Sequence, residues 1–300
     1  MYKIITDSAS NLTEDIIKKY NIEIISYTYT VDNEAHKCFE EGVDDEIEGR
    51  LYYERMRAGA DVKTSLLSPA DIEEVFEKYM KEGYDILFIT ISSKLSGTYQ
   101  SGLIASELMQ EMYAERKCIV VDSMSASLGE GFLAIKASEL RDEGCTIDEA
   151  AQWIYDNRLR MRHIFTVDDL KYLKKGGRIS SSVSLVGTVL NVKPILIATD
   201  EGAIGFSSLV RGRKKSLDAL VKNYFDYAVD PSENIFGIAH CDCPEDAEYI
   251  VSKIKNVCAP KEIINCYYDR CTGGHVGPGA LCIFYMGNNR SMDNKDKVRI

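Results

Sequence analysis

The sequence predicts an α/β protein with two domains, a parallel α/β/α sheet domain at the N-terminus and a mixed or antiparallel α/β domain at the C-terminus. The chain has 300 residues, more than a single domain usually contains. In its first half, short apolar runs, small polar loops and helical patterns alternate, which is typical of a parallel sheet. In its second half, hairpin signals replace this alternation. We therefore expect domains over 1–160 and 161–287 and a loose polar tail over 288–300.

In the first half, strands are predicted from short apolar runs and helices from apolar residues spaced three or four apart. Pro69 stands in the first turn of one predicted helix, where proline is tolerated. Another helix is expected to bury an apolar face that contains Leu103, Ile104, Leu108 and Met109. The expected strands cover 3–6, 22–31, 86–89 and 118–121, and the expected helices lie near 16–17 and over 44–57, 69–81, 103–109 and 146–157.

In the second half, Asp200-Glu201-Gly202 stands between two apolar runs and predicts a hairpin. The glycines of Lys174-Lys175-Gly176-Gly177 are expected to end a short helix. The expected strands cover 164–167, 194–198, 204–210, 235–239, 262–267 and 280–286, and the expected helices cover 168–173, a stretch up to Asn191, 217–227 and 246–257.

Composition excludes several classes of function. A formal net charge of −11 and a pI near 5.0 argue against nucleic acid as a partner. Nine cysteines are too dilute for a disulfide scaffold, and the one close pair, Cys241 and Cys243, lacks the spacing of a zinc site. We therefore expect no metal. Without a run of eighteen apolar residues or a signal-peptide pattern, we also expect a cytoplasmic protein with no stable membrane insertion.

Two basic clusters stand out against this acidic background. Each is either a solvated surface or a patch that binds an acidic ligand or an acidic protein surface. The first cluster contains Lys171, Lys174, Lys175 and Arg178, and the second contains Arg211, Arg213, Lys214 and Lys215.

The segment Ser96-Gly97-Thr98 follows a predicted buried strand and precedes a helix. Backbone N–H groups and hydroxyls at such a junction favour an anion, because the helix dipole also favours negative charge there. The alternative is an ordinary helix start in which Ser96 or Thr98 caps the first turn. Since ligands of parallel α/β sheets bind beyond the carboxyl ends of the strands, we expect four Ser/Thr-rich segments to meet at one crevice. These segments lie near Ser8, Thr64, Ser96 and Ser123.

His275 is the one histidine whose neighbours suit a site. The sequence Thr272-Gly273-Gly274-His275-Val276-Gly277-Pro278-Gly279 predicts a loop that fixes the backbone and leaves the imidazole reachable. The alternative is a turn histidine with no role. Arg178 and Arg211 could pair with a carboxylate or phosphate, or form surface salt bridges. The sequence contains no Walker loop, no dinucleotide-binding glycine motif and no Gly-x-Ser-x-Gly elbow.

From Lys3 to Gly287 the chain resembles the DegV family of bacterial fatty-acid-binding proteins. The matching segments are Thr6-Asp7-Ser8, Thr64-Ser65 through Ser68-Pro69, Ser96-Gly97-Thr98-Tyr99-Gln100-Ser101, Asp122-Ser123, Leu173-Lys174-Lys175-Gly176-Gly177-Arg178-Ile179-Ser180, Lys193-Pro194-Ile195-Leu196, Val210-Arg211-Gly212-Arg213-Lys214-Lys215, and Gly277-Pro278-Gly279 after His275. The specificity lies in their order and spacing. One departure is Leu66-Leu67, where the family often has a polar residue and proline.

The resemblance implies a two-domain DegV-like fold that binds a long-chain fatty acid in a buried apolar tunnel, without another cofactor. The implied ligand-binding residues are Thr64, Ser65, Ser96, Gly97, Thr98, His275 and Gly277. The resemblance further implies a carrier, with no bond chemistry of its own, that presents the fatty acid to a separate ATP-dependent fatty acid kinase in phospholipid metabolism. Arg178, Arg211 and His275 would then lie near the exposed head group and face that kinase.

Two alternatives come from other classes of protein. A serine-dependent esterase or acyltransferase could use Ser96 as nucleophile and His275 as base, although an orienting acid is missing from the pattern. A phosphate-utilising subunit similar to dihydroxyacetone kinases is disfavoured because the sequence has no nucleotide-binding loop.

Overall fold

The computed structural model describes residues 1–179 and 191–292, and the chain forms two compact units. The first unit contains residues 1–43 and 63–158, and the second contains residues 44–62 and the chain from Leu159 onward. The passage from one unit to the other after Arg158 lies close to the division expected at residue 160. The segment 44–62 departs from that division, because it is expected in the first domain and groups with the second unit.

The elements of the first unit follow the expected alternation of strands and helices. Its strands are β1 (Tyr2–Asp7), β2 (Ile22–Ile25), β3 (Thr28–Val31), β4 (Glu34–Lys37), β5 (Val62–Thr64), β6 (Asp85–Thr90) and β7 (Cys118–Asp122), with β5 beginning at the last residue of the second unit's segment. Its helices are α1 (Glu14–Tyr20), α3 (Pro69–Lys81), α4 (Thr98–Met112), α5 (Leu128–Asp142) and α6 (Ile147–Asn157).

Four strands of this unit form the predicted parallel sheet, in the order β2-β1-β6-β7. The register places Ile4 opposite Leu87 and Ile89 opposite Val121. Ile4 and Ile5 are both fully buried, and neighbouring strand residues point to opposite faces. Both faces of the sheet are therefore covered, which is why its strands are continuous apolar runs in the sequence.

The apolar run 22–31, expected as one strand, is divided between two sheets. Strand β2 stays in the parallel sheet, whereas β3 lies between β4 and β5 in a three-stranded sheet. The division falls at Ser26 and Tyr27, whose polar groups form bonds outside the ladder. The Ser26 hydroxyl accepts from Phe39 N at 2.9 Å, and Tyr27 N donates to the Ser8 hydroxyl at 3.0 Å. Because Tyr27 N is satisfied by a serine hydroxyl and not by a neighbouring strand, β2 ends before it.

Helix α4 buries a face different from the one that the sequence predicts. Met109 is buried as expected, but Ile104 and Leu108 are 42% and 44% exposed. The buried face consists mainly of small residues, namely Thr98, Ser101, Gly102, Ala105 and Ser106. A Cβ atom on Gly102 would lie 3.0 Å from the Phe88 ring, so the helix approaches the sheet too closely for a large side chain.

The second unit contains a mixed sheet, as predicted. Its helices are α2 (Asp45–Arg57), α7 (Lys171–Lys175), α8 (Arg213–Tyr227), α9 (Pro244–Lys255) and α10 (Arg270–Val276), and its strands are β8 (Met161–Thr166), β9 (Val192–Ala198), β10 (Ile204–Arg211), β11 (Ile235–His240), β12 (Glu262–Tyr267) and β13 (Leu281–Met286). The strand order is β10-β9-β8-β13-β11-β12, with β11 and β12 parallel and the other pairs antiparallel. The predicted hairpin joins β9 and β10.

Two further expectations concern the ends of segments in the second unit. The helical stretch expected up to Asn191, together with Ser180, falls on residues 180–190, outside the described part of the chain. The tail expected to be loose from residue 288 is packed at its start. Arg290 is buried and donates to Met161 O at 3.0 Å, and residues 293–300 lie outside the described range.

None of the helices within residues 1–179 and 191–292 has the length and apolar character that crossing a membrane requires.

His240, the last residue of β11, is held neutral by its surroundings. It is 3% exposed, and its ring centroid lies 4.5 Å from that of Tyr267. The Nδ1 atom accepts a hydrogen bond from Cys243 N at 3.4 Å, which requires an unprotonated nitrogen. Burial lowers the pKa of His240 to about 4, although nearby carboxylates such as that of Asp242 oppose this change.

This lowered pKa predicts that acid destabilises the fold through His240. Between a pKa of about 4 when folded and ~6.5 when unfolded, the unfolded chain binds more protons, so stability falls as the pH drops. Going from pH 7.5 to pH 5 is expected to cost about 2 kcal/mol through this residue. His240→Asn keeps an acceptor near Nδ1 but does not titrate. Urea unfolding at both pH values should show a correspondingly smaller loss in the variant, and equal losses would contradict the prediction.

Candidate functional site

The Asp7 carboxylate connects the ends of the two central strands of the parallel sheet. Its Oδ1 atom accepts from Ala9 N at 3.0 Å, in the turn after β1. Its Oδ2 atom accepts from Ile91 N at 3.0 Å, directly after β6. The side chain is fully buried, so these charge-assisted bonds compensate for the loss of water. The loops that follow β1 and β6 are thereby held side by side.

Asp122 makes a similar connection at the end of β7. Its Oδ1 atom accepts from Ser93 N at 3.2 Å in the loop after β6, and from Met124 N at 2.8 Å in its own loop. Ser92 N also donates to Ser125 O at 2.8 Å. The Ser/Thr-rich loops after β1, β6 and β7 therefore lie along one edge of the sheet, as the positions of the strand ends predict.

Tyr27 reaches the same edge from the end of β2. Tyr27 N donates to the Ser8 hydroxyl, and the Tyr27 Oη atom is hydrogen-bonded to Thr98 Oγ1. The tyrosine is 5% exposed. Burial, with a contribution from the negative charge of Asp7, raises the pKa of Tyr27 well above its ordinary value. The phenol consequently remains protonated at neutral pH and is available as a donor.

Ser96 and Thr98 form a hydroxyl pair at the start of α4. Their Oγ and Oγ1 atoms lie 3.0 Å apart, and Thr98 N donates to Ser96 Oγ at 3.3 Å. Thr98 is fully buried, whereas Ser96 is half-buried. The N-cap position belongs to exposed Gly97, which has no side chain to cap the helix. Of the two hydroxyls, that of Ser96 is the more accessible to a ligand.

The segment from Thr64 to Leu66 lies beside this pair. Ser65 N donates to Thr28 O at 2.9 Å. The segment therefore lies beside Thr28, the residue that follows Tyr27 in the chain. A Cβ atom on Gly97 would lie 3.4 Å from Leu66 Cδ2, so the leucine packs against the glycine. Thr64 is half-buried and Ser65 is exposed. The first unit therefore brings together all five of its predicted site residues, Thr64, Ser65, Ser96, Gly97 and Thr98.

His275 lies in the last turn of helix α10, which corrects the expectation of a loop. The glycines before it are required by two tyrosines of α2. A Cβ atom on Gly273 would lie 1.8 Å from Tyr53 Oη, and one on Gly274 would lie 2.7 Å from Tyr52 Oη. These hydroxyls donate to backbone carbonyls at the start of α10 and just before it, at 2.7 Å for Tyr52 and 2.9 Å for Tyr53. The glycines allow close packing of two helices and do not form a turn.

The turn after α7 packs against His275. A Cβ atom on Gly176 would lie 2.4 Å from His275 Nδ1, and one on Gly277 would lie 2.1 Å from the Tyr172 ring. Burial, with a smaller contribution from the positive charge of Arg178, lowers the pKa of His275 to about 4. The imidazole is therefore neutral at neutral pH. The second unit thus brings together His275, Gly277 and Arg178.

The arginines of the two basic clusters differ in their exposure and in their hydrogen-bond partners. Arg178 is half-buried and donates to Gly176 O, whereas Arg211 is exposed at the end of β10, opposite Val192. Within the described residues, no bond connects Arg211 to His275. Arg213 is paired internally, since its Nε atom donates to Asp246 at 2.7 Å.

Asp168 connects the second basic cluster to the turn after His275. It accepts from Lys193 Nζ at 2.7 Å, and an Arg213 guanidinium nitrogen lies 3.6 Å away. A Cβ atom on Gly279 would lie 2.2 Å from Asp168 Oδ2, so the glycine allows this close approach. The segment that begins at Arg211 is thereby fixed to the same part of the second unit as residues 277–279.

Comparison with known proteins identifies the family. A family model described as "Uncharacterised protein, DegV family" matches residues 1–288. This chain belongs to the DegV family. A DegV domain-containing protein of Clostridium perfringens, CPE0026, is 36% identical over 289 residues, which cover 96% of this chain and 98% of that protein.

Solved structures of DegV proteins share the fold over nearly the whole chain. A DegV family protein from Thermus thermophilus, described by its fatty acid binding, has a TM-score of 0.84 at 25% identity and covers 95% of this chain and 99% of its own. A DegV lipid-binding protein from Thermotoga maritima has a TM-score of 0.83 at 28% identity, and the match covers 97% of this chain and 100% of that protein. A DegV protein from Ruminococcus gnavus, solved with vaccenic acid, has a TM-score of 0.82 at 26% identity, and the match covers 94% of this chain and 99% of that protein.

Two residues that organise the site in this DegV protein are missed by the sequence patterns. Tyr27 follows β2 at the carboxyl end of a parallel strand, so the rule that selected the other loops could also have selected it. Asp168 follows β8 and precedes a short helix, where a carboxylate is easily taken for a helix cap. In both cases the decisive contact is with a residue distant in sequence, Thr98 for Tyr27 and Lys193 for Asp168.

Proposed function

We propose that this DegV protein is a carrier that binds a long-chain fatty acid in a buried apolar tunnel and holds its carboxylate with hydroxyl groups. The observation that carries the proposal is the cluster of Ser96, Thr98 and Tyr27 hydroxyls beside the Thr64–Leu66 segment. The fatty acids bound by DegV relatives at 25% identity or more support the choice of ligand.

The energetics of such a ligand suit a site of this kind. Each buried CH₂ contributes about 0.8 kcal/mol, so most of the affinity comes from the acyl chain. The carboxylate then needs enough hydrogen-bond donors to compensate for its desolvation. Ser65 is exposed, Thr64 and Ser96 are half-buried, and the Gly97 backbone is exposed. These groups form the proposed head-group site, and fully buried Thr98 supports Ser96.

We favour a carrier over a serine hydrolase for two reasons. The Ser96 oxygen is already bonded to the N–H and the hydroxyl of Thr98. His275, the histidine considered as its base, has a pKa lowered to about 4 and is a weak general base at neutral pH.

We further propose that the protein presents the fatty acid to a separate ATP-dependent kinase, which forms the acyl phosphate. The proposal assigns Arg178, Arg211 and His275 to this step. Arg211 is exposed, and its guanidinium suits the phosphate groups or acidic side chains that such a partner offers.

The central test is extraction of the purified protein with organic solvent, followed by mass spectrometry. We expect a fatty acid of long chain length in about equimolar amount, because an apolar tunnel retains its ligand during purification. Folding is verified by circular dichroism on the same sample. Folded protein that yields no fatty acid and does not take up added oleate would overturn the proposed function.

Ser96→Ala is expected to weaken oleate binding at least about tenfold, because a hydrogen bond to a charged group is worth about 1.5–3 kcal/mol and ~1.4 kcal/mol is tenfold. Isothermal titration calorimetry on delipidated protein measures the effect. Ser93→Ala is the matched control, since Ser93 lies in the same loop and its side chain is exposed.

Equal oleate affinity in the Ser96 and Ser93 variants would remove Ser96 from the head-group site. A fluorophosphonate probe addresses the hydrolase alternative in the same samples. We expect no covalent labelling of the wild-type protein, and labelling of Ser96 would support an enzyme instead.

Arg211→Ala is expected to raise the apparent KM of a fatty acid kinase for the oleate-loaded protein about tenfold, equivalent to ~1.4 kcal/mol. Acyl phosphate formation is measured with a purified kinase and radiolabelled ATP. Arg50→Ala, which removes an exposed arginine from α2, is the control. If both variants match the wild type while their oleate content is unchanged, Arg211 does not face the kinase.

A further inference from the structure

Tyr27, Thr98 and Ser96 form a chain of three hydroxyls that runs from the interior of the first unit towards its surface. Tyr27 is 5% exposed and Thr98 is fully buried, whereas Ser96 is accessible. Thr98 Oγ1 is bonded to both of the other hydroxyls. Such a chain has two possible directions of donation, and the direction decides what Ser96 can offer a ligand.

The surroundings favour donation outward from Tyr27. The phenol is hydrogen-bonded to the Thr98 oxygen, so its proton has an acceptor there. In the opposite direction, the phenol proton would point away from the Thr98 oxygen inside a buried environment, where an unmade hydrogen bond is costly. A phenol is also a stronger acid than an aliphatic alcohol and is therefore the better donor.

Outward donation leaves the Ser96 proton available. If Tyr27 donates to Thr98, the Thr98 hydroxyl donates to Ser96 Oγ, which also accepts from Thr98 N at 3.3 Å. Both lone pairs of the serine oxygen are then occupied by protein donors. The Ser96 hydroxyl can act towards a ligand only by donating its own proton.

We propose that Tyr27 is a positioning residue that fixes Ser96 as a hydrogen-bond donor and so makes the site selective for an anionic, acceptor-only head group. The inference rests on the proposed function and deepens it, since it predicts that the site discriminates between a fatty carboxylate and its neutral ester. A charged acceptor gains more from a fixed donor than a neutral carbonyl does.

The test is a double-mutant cycle with Tyr27→Phe, Ser96→Ala and the double variant, titrated with oleate and with methyl oleate. Tyr27→Phe is expected to weaken oleate binding about tenfold and methyl oleate binding less than about threefold. In the Ser96→Ala background, Tyr27→Phe should cause no further loss, because the donor that it positions is gone. Tyr79→Phe, which removes another tyrosine hydrogen bond in the same unit, should bind both ligands like the wild type.

Thr98 provides a second pair of variants that does not depend on the folding of Tyr27→Phe. Thr98→Val removes the middle hydroxyl and should reproduce the loss of oleate selectivity, whereas Thr98→Ser should retain it. Equal losses for acid and ester, or additive losses in the double variant, would overturn the role of Tyr27. If the wild type binds neither ligand, the proposed function itself fails, which is a distinct result.

Discussion

The buried carboxylate of Asp7 is the interaction on which the arrangement of the first unit depends. Two backbone N–H groups, from Ala9 and Ile91, donate to its two oxygens. Hydrogen bonds to a charged group are worth about 1.5–3 kcal/mol each, and a buried carboxylate without them would be strongly unfavourable. Because these donors belong to different loops, Asp7 fixes the start of one loop relative to the other. The next residue, Ser8, then positions Tyr27, because the Ser8 hydroxyl accepts a hydrogen bond from the backbone N–H of Tyr27.

Much of this arrangement follows from local sequence. Apolar runs followed by serine and threonine predict the strand ends, and the parallel topology predicts that those ends share an edge. The residues of the Ser96 loop could be selected on these grounds alone. Local patterns do not predict the Tyr27 bond, because its partner Thr98 is 71 residues away. Ile104 and Leu108 show a second limit, since the depth at which a helix packs decides which of its faces is buried.

In the second unit, the mixed sheet could be predicted from the sequence, but the helix that contains His275 could not. Gly273 and Gly274 have the composition of a loop, and glycine lowers helix propensity. Helix α10 forms there nonetheless, because Asp269 accepts from Thr272 N at 2.7 Å and the tyrosines of α2 occupy the space beside the glycines. Those tyrosines belong to the segment 44–62, which is distant in sequence from α10. Tertiary contacts of this kind override local preference and cannot be inferred from periodicity.

Neutral hydroxyls are an effective head-group site for a carrier, under the proposed function, because the ligand must also leave. An acyl chain of about fifteen buried CH₂ groups contributes roughly 12 kcal/mol before the costs of association, so the chain alone supplies most of the binding free energy. A bidentate arginine at the carboxylate would add a strong charge-assisted pair and slow release further. Serine and threonine instead compensate for desolvation without a formal charge.

In such a site the direction in which each hydroxyl donates matters more than the number of hydroxyls. A hydroxyl that accepts hydrogen bonds from its neighbours keeps its own proton for the ligand. With donation outward from Tyr27, as proposed above, the chain Tyr27–Thr98–Ser96 meets that requirement with uncharged groups alone.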